Sequence, residues 1–214
     1  MTSHPIDTDA ALLYFGAEEA RTLDAIVERL IPSDELGPGA HDAAVVTYVD
    51  RALAGFSRDL QLVYRLGLRE LDRQCRDRHG ASFADLGEDE QDETIRRWLG
   101  PEVPDSHTDT REELLSSGEL PGSGEAEDSS RLTRLFAVIR EHAVEGFFCD
   151  PGYGGNRDAV GWRLVNFPGA QWGYTAAQMQ PGYDASAIPV RTLGDLRAQL
   201  AGGGLPGNDR FQGE

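Results

Sequence analysis

The segment from residue 147 to 174, FFCDPGYGGNRDAVGWRLVNFPGAQWGY, restricts the possible folds of this chain more than any other stretch. It holds seven of the 17 aromatic residues (3 Trp, 6 Tyr and 8 Phe) and six glycines, but only four charged residues. Glycine adopts backbone conformations that other residues avoid, and aromatic side chains bring large apolar areas that suit cores and interfaces alike. A loop of this composition is either the lid of a hydrophobic core or a surface that binds a partner.

The composition is that of an acidic globular chain. Its 214 residues are enough for one domain with a sizeable core. The 37 acidic residues outnumber the 20 basic ones, all of them arginine, and give a net charge of −17. Nucleic acids and anionic membranes attract basic surfaces. The sequence therefore predicts no nucleic-acid binding.

The sequence also lacks the pattern of a membrane anchor. No window approaches the roughly 20 apolar residues that cross a bilayer, which predicts no direct membrane insertion. The first residues, MTSHPIDTDAALLYFG, have neither the basic start nor the apolar run of an export signal. We therefore expect the chain to be cytoplasmic as synthesised.

Apolar residues recur at helical spacing through most of the chain. The stripes and their bounding signals predict helices at about Leu23–Ile31, Val45–Phe56, Arg58–His79, Glu88–Leu99, Leu132–Gly146 and Leu193–Leu200. Pro32 ends the first of them, and Gly80 stands just beyond the third, where a left-handed residue commonly closes a helix. We find no pattern of a strand pair. The sequence predicts an all-α fold: a small bundle of five to six helices with a long ordered loop rich in glycine and aromatic residues.

The chain divides into one helical domain, residues 1–176, and a tail, residues 177–214, with one short helix. Within the domain, residues 101–130 hold nine acids and one arginine, a net charge of −8, and few apolar residues. This composition predicts a flexible acidic insert. An acidic docking arm is the alternative interpretation.

A search for catalytic and metal-binding patterns yields no site. The glycines at 152, 154 and 155 do not follow a strand, as a dinucleotide-binding turn requires, and no GxSxG, HExxH or P-loop occurs. The best metal candidate is His142 with Glu145, but their order is the reverse of the di-iron Glu-x-x-His motif and no second copy exists. A surface or interface histidine is the favoured interpretation. We predict no catalytic residue, no metal site and no bound cofactor in this chain.

The two cysteines, Cys75 and Cys149, show neither CxxC nor zinc-ligand spacing. Buried free thiols are the favoured interpretation. A single disulfide stays open as the alternative, because the sequence does not give the distance between the two residues.

Two blocks of sequence resemble the gluconate 2-dehydrogenase subunit 3 family. In the first, a helix ends in Ile31-Pro32, and Asp34 precedes a GPGA turn at residues 37–40. In the second, the pattern GFF-x-DP-x-YGGN-x-D-x-x-GW covers residues 146–162 and leads into FPGA at 167–170. The second block is long enough to be specific. The resemblance is good over about residues 12–60 and 131–176 and looser elsewhere.

The resemblance implies a non-catalytic small subunit that supports the folding, stability and export of a larger partner. That partner is an FAD-dependent sugar, sugar-acid or alcohol dehydrogenase of the glucose–methanol–choline class, often with a cytochrome c subunit as electron acceptor. FAD is therefore expected in the partner subunit. Family members commonly carry a twin-arginine signal, which this sequence lacks. We expect a cytoplasmic chain, or a periplasmic one if a signal-bearing partner exports it.

The aromatic loop is the predicted partner interface, with the GPG turn beside it. The predicted interface residues are Phe147, Phe148, Asp150, Tyr153, Gly154, Gly155, Asn156, Asp158, Trp162, Phe167, Pro168 and Trp172. The predicted structural turn comprises Pro32, Asp34, Gly37, Pro38 and Gly39. Asn156 and Asp158 are expected to hold the loop by bonding backbone amides. The alternative is a free-standing helical enzyme or ligand-binding domain with a pocket under the loop.

Overall fold

The protein is all-α in the part of the chain that the structure describes. This computed structural model describes residues 11–99 and 125–202. Within these ranges it contains α-helices, short 3-10 turns and two isolated β-bridges, but no strand. The helices are α1 (Ala17–Leu30), α2 (Val45–Ala54), α3 (Gln61–His79), α4 (Glu88–Leu99), α5 (Glu125–Phe148), α6 (Val160–Leu164) and α7 (Leu193–Ala201). The predicted fold, a small helical bundle with a long loop, is confirmed.

Helix α5 is the centre of the bundle and packs against α1, α2, α3 and α4. Seven of its apolar residues are at most 1% exposed: Leu132, Leu135, Phe136, Val138, Ile139, Ala143 and Phe147. Burial of apolar surface, worth about 25 cal/mol for each Å², gathers the other helices around it. Gly67 lets α3 approach closely, because a Cβ there would lie 2.8 Å from the Cβ of Leu135.

Most helix ends follow the signals in the sequence. Helix α1 ends two residues before Pro32, and α3 is followed by Gly80 with a φ of 78°. The third helix starts later than predicted, because residues 58–60 form a 3-10 turn. The prediction that Phe56 faces the core is wrong, since this residue is 60% exposed. Helix α2 ends before the apolar stripe is complete, and the chain turns at Gly55.

The predicted acidic insert lies mostly outside the described residues. Of residues 101–130, the structure describes 125–130, and these form the beginning of α5. The helix starts before the predicted insert ends, because too few apolar residues stand there to reveal a helical stripe. Asp128 of this first part lies 3.1 Å from Arg73 of α3, so it is attached to the bundle by an ion pair.

One buried carboxylate ties the beginning of the described chain to the bundle. Asp50, on α2, is 2% exposed. Its oxygens accept hydrogen bonds from the backbone N–H groups of Leu13, Tyr14 and Phe15 at 2.6, 2.9 and 2.9 Å. A buried charge is tolerated only when it is well hydrogen-bonded, and three backbone donors meet that condition. Asp50 thereby positions Phe15, whose ring packs edge-on against Tyr64.

Two tyrosines bring polar contacts to α5 inside the bundle. The Tyr64 hydroxyl lies 2.9 Å from Nδ1 of His142, with the rings stacked, and the Tyr48 hydroxyl donates to Glu145 at 2.8 Å. His142 is 4% exposed, so its interpretation as a surface or interface histidine is wrong. Burial raises the pKa of both tyrosines, and the nearby carboxylate of Glu145 adds to the shift.

Both cysteines are free thiols, which excludes the disulfide left open by the sequence. Cys75 is buried on α3, and Cys149 is partly buried just after α5. Burial raises the pKa of each thiol to about 11. At neutral pH both side chains are therefore protonated and behave as small hydrophobic groups.

Replacing Asp50 by alanine should destabilise the fold strongly. The change leaves three backbone N–H groups without their acceptor, and we expect the free energy of unfolding in urea to fall by about 3 kcal/mol or more. Asp77→Ala is the matched control, because the Asp77 side chain is 67% exposed and pairs with Arg73 at the surface. That variant should change stability by less than about 0.5 kcal/mol. Equal losses for both variants would disprove the anchoring role.

The fold should lose stability at alkaline pH. Thiols and phenols ionise near pH 9.0 and 10.0 in the unfolded chain, whereas the fold raises the pKa of the two thiols to about 11 and that of the two buried phenols further. The native state thus favours the neutral forms. The stability that these neutral groups contribute is complete below pH 9 and is lost as the pH rises through the folded pKa values.

Urea titrations at a series of pH values test this expectation. The free energy of unfolding should fall between pH 9 and pH 11, by up to about 1.4 kcal/mol per pH unit for each group that ionises only in the unfolded chain. Cys75→Ala should make the fall shallower by removing one such group. A free energy of unfolding that stays constant to pH 11 would contradict the assignment.

Candidate partner interface

The loop after α5 begins by satisfying the end of that helix. The last carbonyl groups of a helix receive no hydrogen bond from within the helix, so they need donors from elsewhere. Asn156, which is fully buried, supplies two of them: its backbone N–H donates to Gly146 O and its Nδ2 to Cys149 O, both at 2.8 Å. Its Oδ1 accepts from the N–H of Gly161 at 2.8 Å. One asparagine therefore closes the loop onto the helix and holds its far side.

Trp162, on α6, supplies a further donor to the same helix end. Its Nε1 donates to the carbonyl of Phe148 at 2.7 Å, and the residue is only 6% exposed. Its own carbonyl accepts from the N–H of Phe167 at 2.8 Å, and the ring of Phe167 packs edge-on with centroids 5.3 Å apart. The tryptophan thus connects the end of α5 to the last part of the loop.

Two glycines permit the close approach on which these hydrogen bonds depend. A Cβ at Gly155 would lie 2.2 Å from the carbonyl oxygen of Gly146, and one at Gly161 would lie 2.1 Å from that of Phe147. Neither distance is possible for any residue with a side chain. Asn156 itself has a φ of 45°, a left-handed conformation that asparagine tolerates better than most residues. Backbone contact with α5 therefore explains why glycine stands at positions 155 and 161.

Asp150 extends the hydrogen-bond network to the tail. One oxygen accepts from the N–H of Gly152 at 2.9 Å, and the other accepts from the N–H of Leu193, the first residue of α7, at 2.7 Å. The carboxylate is 9% exposed. A negative charge at this position also suits the positive end of the dipole of α7. The loop therefore holds the tail as well as the helix that precedes it.

The turn after α1 lies beside the loop, as the sequence analysis expected. Asp34 and Gly37 exchange backbone hydrogen bonds at 3.1 and 3.2 Å. Gly39 cannot carry a side chain, because a Cβ there would lie 2.3 Å from the backbone nitrogen of Ser33. A Cβ at Gly37 would lie 3.0 Å from Cδ1 of Leu164 at the end of α6. The two sequence blocks are thus in contact.

The structure divides the twelve predicted interface residues into three sets. Those that are buried are Phe147, Asp150, Gly155, Asn156, Trp162 and Pro168. Those that are exposed are Phe148, Tyr153, Asp158 and Phe167, and those that are partly exposed are Gly154 and Trp172. The buried residues hold the loop against the rest of the fold, whereas the exposed residues form part of the protein surface. The loop is therefore both a lid over the end of α5 and an outward face.

Three exposed apolar residues, two in the loop segment and one in the neighbouring turn, were not singled out in the sequence. Leu36 is 85% exposed, Val165 54% and Leu164 45%, while Phe167 next to them is 45% exposed. Leu36 stands in the turn, next to the Gly37 that contacts Leu164. We call these four residues the apolar ridge. The signal that could have revealed Leu36 is its position between two acids and a GPG turn, where no core contact is expected.

Asp158 does not bond backbone amides through its side chain as predicted; the described contact is through its carbonyl, which accepts from Nε of Arg163 at 3.1 Å. Its φ of 55° places it within the same left-handed stretch as Asn156. The residue therefore contributes to the loop through its backbone, while its carboxylate stays exposed at the surface.

Residues 11–99 and 125–202 contain neither a metal-binding cluster nor a helix that could cross a bilayer. No cluster of three or more His, Cys, Asp or Glu side chains has metal-binding geometry in these ranges. None of the helices described there combines the length and the apolar character needed to cross a bilayer.

Fold and loop together define a class of protein: a small all-α bundle with a hydrogen-bonded, glycine-containing loop at the end of its central helix and an exposed apolar ridge. A family model described as Gluconate 2-dehydrogenase subunit 3 matches residues 17–169, and the chain belongs to that family. The match includes both the turn and the loop up to Gly169. We found no significant match among curated proteins or among solved structures.

Gly161→Ala should destabilise the loop and the end of α5 together. The added Cβ would be fixed directly to the main chain and would collide with the backbone carbonyl of Phe147. Neither group can move away without a shift of the main chain. We expect the free energy of unfolding to fall by about 2–3 kcal/mol. Gly194→Ala is the control, since its Cβ would lie 3.4 Å from Oγ1 of Thr192, an ordinary contact in α7. A Gly161→Ala variant as stable as that control would contradict the described contact.

Proposed function

We propose that this chain is a non-catalytic accessory subunit that binds and stabilises a larger FAD-dependent dehydrogenase subunit. The partner would be of the glucose–methanol–choline class and would oxidise a sugar, a sugar acid or an alcohol. Membership of the gluconate 2-dehydrogenase subunit 3 family supports a place in such a complex. The observation that carries the proposal is the apolar ridge, which stands exposed on a rigid frame. Assistance with maturation or export of the partner belongs to the same proposal.

The physical character of the ridge favours protein binding. Apolar side chains on a preordered backbone lose little conformational entropy when they bind, so more of their contact energy appears as affinity. The frame beneath the ridge is preordered by the hydrogen bonds of Asn156 and Trp162 to α5. Exposed aromatic residues near it, Tyr153 and Phe148, are 55% and 38% exposed and belong to types common in interface hot spots.

The interior offers little room for a substrate near these residues. Directly beneath the loop, the backbone of α5 fills the space up to Gly155 and Gly161. A small cavity between α5 and the segment that joins α2 to α3, lined by Ser57, His142 and Glu145 among others, has a volume of about 30 Å³. That is room for about one water molecule. Two larger clefts, of about 540 and 600 Å³, are open to solvent and lie against α3, and none of their lining residues belongs to the loop. The space under the loop therefore favours a binding role there over a substrate pocket, and in this proposal the reactive FAD resides in the larger subunit.

Co-expression with an FAD-dependent dehydrogenase large subunit tests the proposal, and we expect such a subunit to be encoded nearby. We expect the two chains to co-purify, the flavin absorbance to follow the large chain, and the isolated small chain to show neither flavin nor turnover. Oxidation of a sugar by the isolated chain would refute the accessory role. A large subunit that is equally stable and active without the small chain would refute the stabilising role.

Replacing ridge residues by glutamate should weaken the complex without unfolding the chain. Leu36 and Val165 are the best targets, because both are more than half exposed and their loss leaves the core intact. We expect Leu36→Glu with Val165→Glu to raise the Kd for the large subunit at least about tenfold. Leu62→Glu on α3, where the leucine is 50% exposed, is the control and should change it less than about twofold. Calorimetric titration measures both, and equal affinities would exclude the ridge from the interface.

A further inference from the structure

The last part of the described chain has an unusual relation to the rest of the fold. We call residues 170–202 the C-terminal arm; it begins where the family match ends, at residue 169. None of its residues is buried. The arm therefore adds no side chain to the core described above, although it has defined structure, including the 3-10 turn at Ala185–Ala187 and helix α7.

The arm is attached to the loop by hydrogen bonds at its base. Ala170 N–H donates to Arg191 O at 2.7 Å, and Arg191 N–H donates to Pro168 O at 3.1 Å, which pairs the start of the arm with the residue two positions before α7. Asp150 accepts from the first N–H of α7. Nε1 of Trp172 donates to Oε1 of Gln199 at 2.8 Å. These contacts place α7 next to the loop, so the arm is continuous with the proposed interface.

Helix α7 has no apolar burial of its own to stabilise it. It is nine residues long and none of them is buried. A capping box between Thr192 and Asp195 satisfies its first turn, but isolated helices of this length are marginal in water and depend on packing of an apolar face. The larger apolar residues of the arm are instead exposed: Tyr174 by 36%, Met179 by 66%, Tyr183 by 41% and Leu200 by 49%. A surface outside the chain would supply the missing burial.

Charge distinguishes among the surfaces that could cover the arm. The arm carries two acids, Asp184 and Asp195, and two arginines, Arg191 and Arg197, so its formal charge is zero, whereas the whole chain has −17. A second copy would also carry a net charge of −17, and the repulsion between two such chains opposes self-association. An anionic lipid surface is repelled for the same reason. An apolar surface on a different protein matches a neutral, aromatic arm best.

We infer that the C-terminal arm is a second docking element that lies on an apolar, weakly charged surface of the large subunit. This inference rests on the proposed function and extends it beyond the part of the chain that the family shares. The ridge and the arm would contact the large subunit together. Contacts of the arm are apolar and neutral, so their contribution to affinity is largely independent of salt.

Binding measurements with the purified FAD-containing large subunit test the arm. Met179→Glu and Leu200→Glu alter exposed side chains, so the melting temperature of the isolated chain should stay the same. We expect each variant to raise the Kd at least about tenfold, by the same factor at low and high salt. Leu62→Glu again serves as the exposed control and should bind like the wild type.

The outcomes separate the inference from the proposed function. If the wild-type chain binds and both arm variants bind equally well, the inference is overturned while the accessory role stands. If the wild-type chain does not bind the large subunit at all, the proposed function fails and the inference fails with it. Light scattering that shows an arm-dependent homodimer would assign the arm to a second copy and would also overturn the inference.

Discussion

The hydrogen-bonding need of the carbonyl groups at the end of α5 is the constraint on which the rest of this structure depends. Helix α5 contacts the four other long helices, so its end cannot simply fray into solvent without loosening the centre of the bundle. Asn156 and Trp162 meet that need from within the loop. To reach the helix, the loop must bring backbone against backbone, which only Gly155 and Gly161 permit. The composition of the loop follows from this contact.

Two buried polar side chains organise opposite parts of the chain by the same physical principle. Asp50 accepts three backbone N–H groups near the beginning of the described residues, and Asn156 bonds two backbone carbonyls and one N–H after α5. Burial of a polar group destabilises a fold unless its hydrogen bonds are satisfied, and each of these residues is satisfied by backbone groups. Directional bonds thus place segments that the apolar core alone would leave free to shift.

Sequence patterns predicted the helices well because apolar periodicity reports directly on burial. The stripes from Leu23 and from Leu132 proved to be core, and Pro32 and Gly80 marked helix ends. The prediction for Phe56 failed because an apolar stripe does not reveal that the helix ends two residues earlier, at Ala54. The prediction of a surface or interface position for His142 failed because its hydrogen-bond partner, Tyr64, lies on another helix and cannot be recognised from local sequence. The predicted choice between lid and surface had no single answer, since adjacent residues such as Phe147 and Phe148 differ in exposure. Leu36 was missed because the acids before it and the GPG turn after it were taken only as turn signals, although they also predict an exposed leucine.

The contact between Gly37 and Leu164 has a consequence for quality control in the cell. The two halves of the apolar ridge come from near opposite ends of the family domain, and the folded bundle brings Gly37 and Leu164 together. Under the proposed function, a chain that has not folded cannot display the complete ridge and would bind the large subunit poorly. Recognition of the assembled surface would then act as a checkpoint that admits only folded copies into the complex.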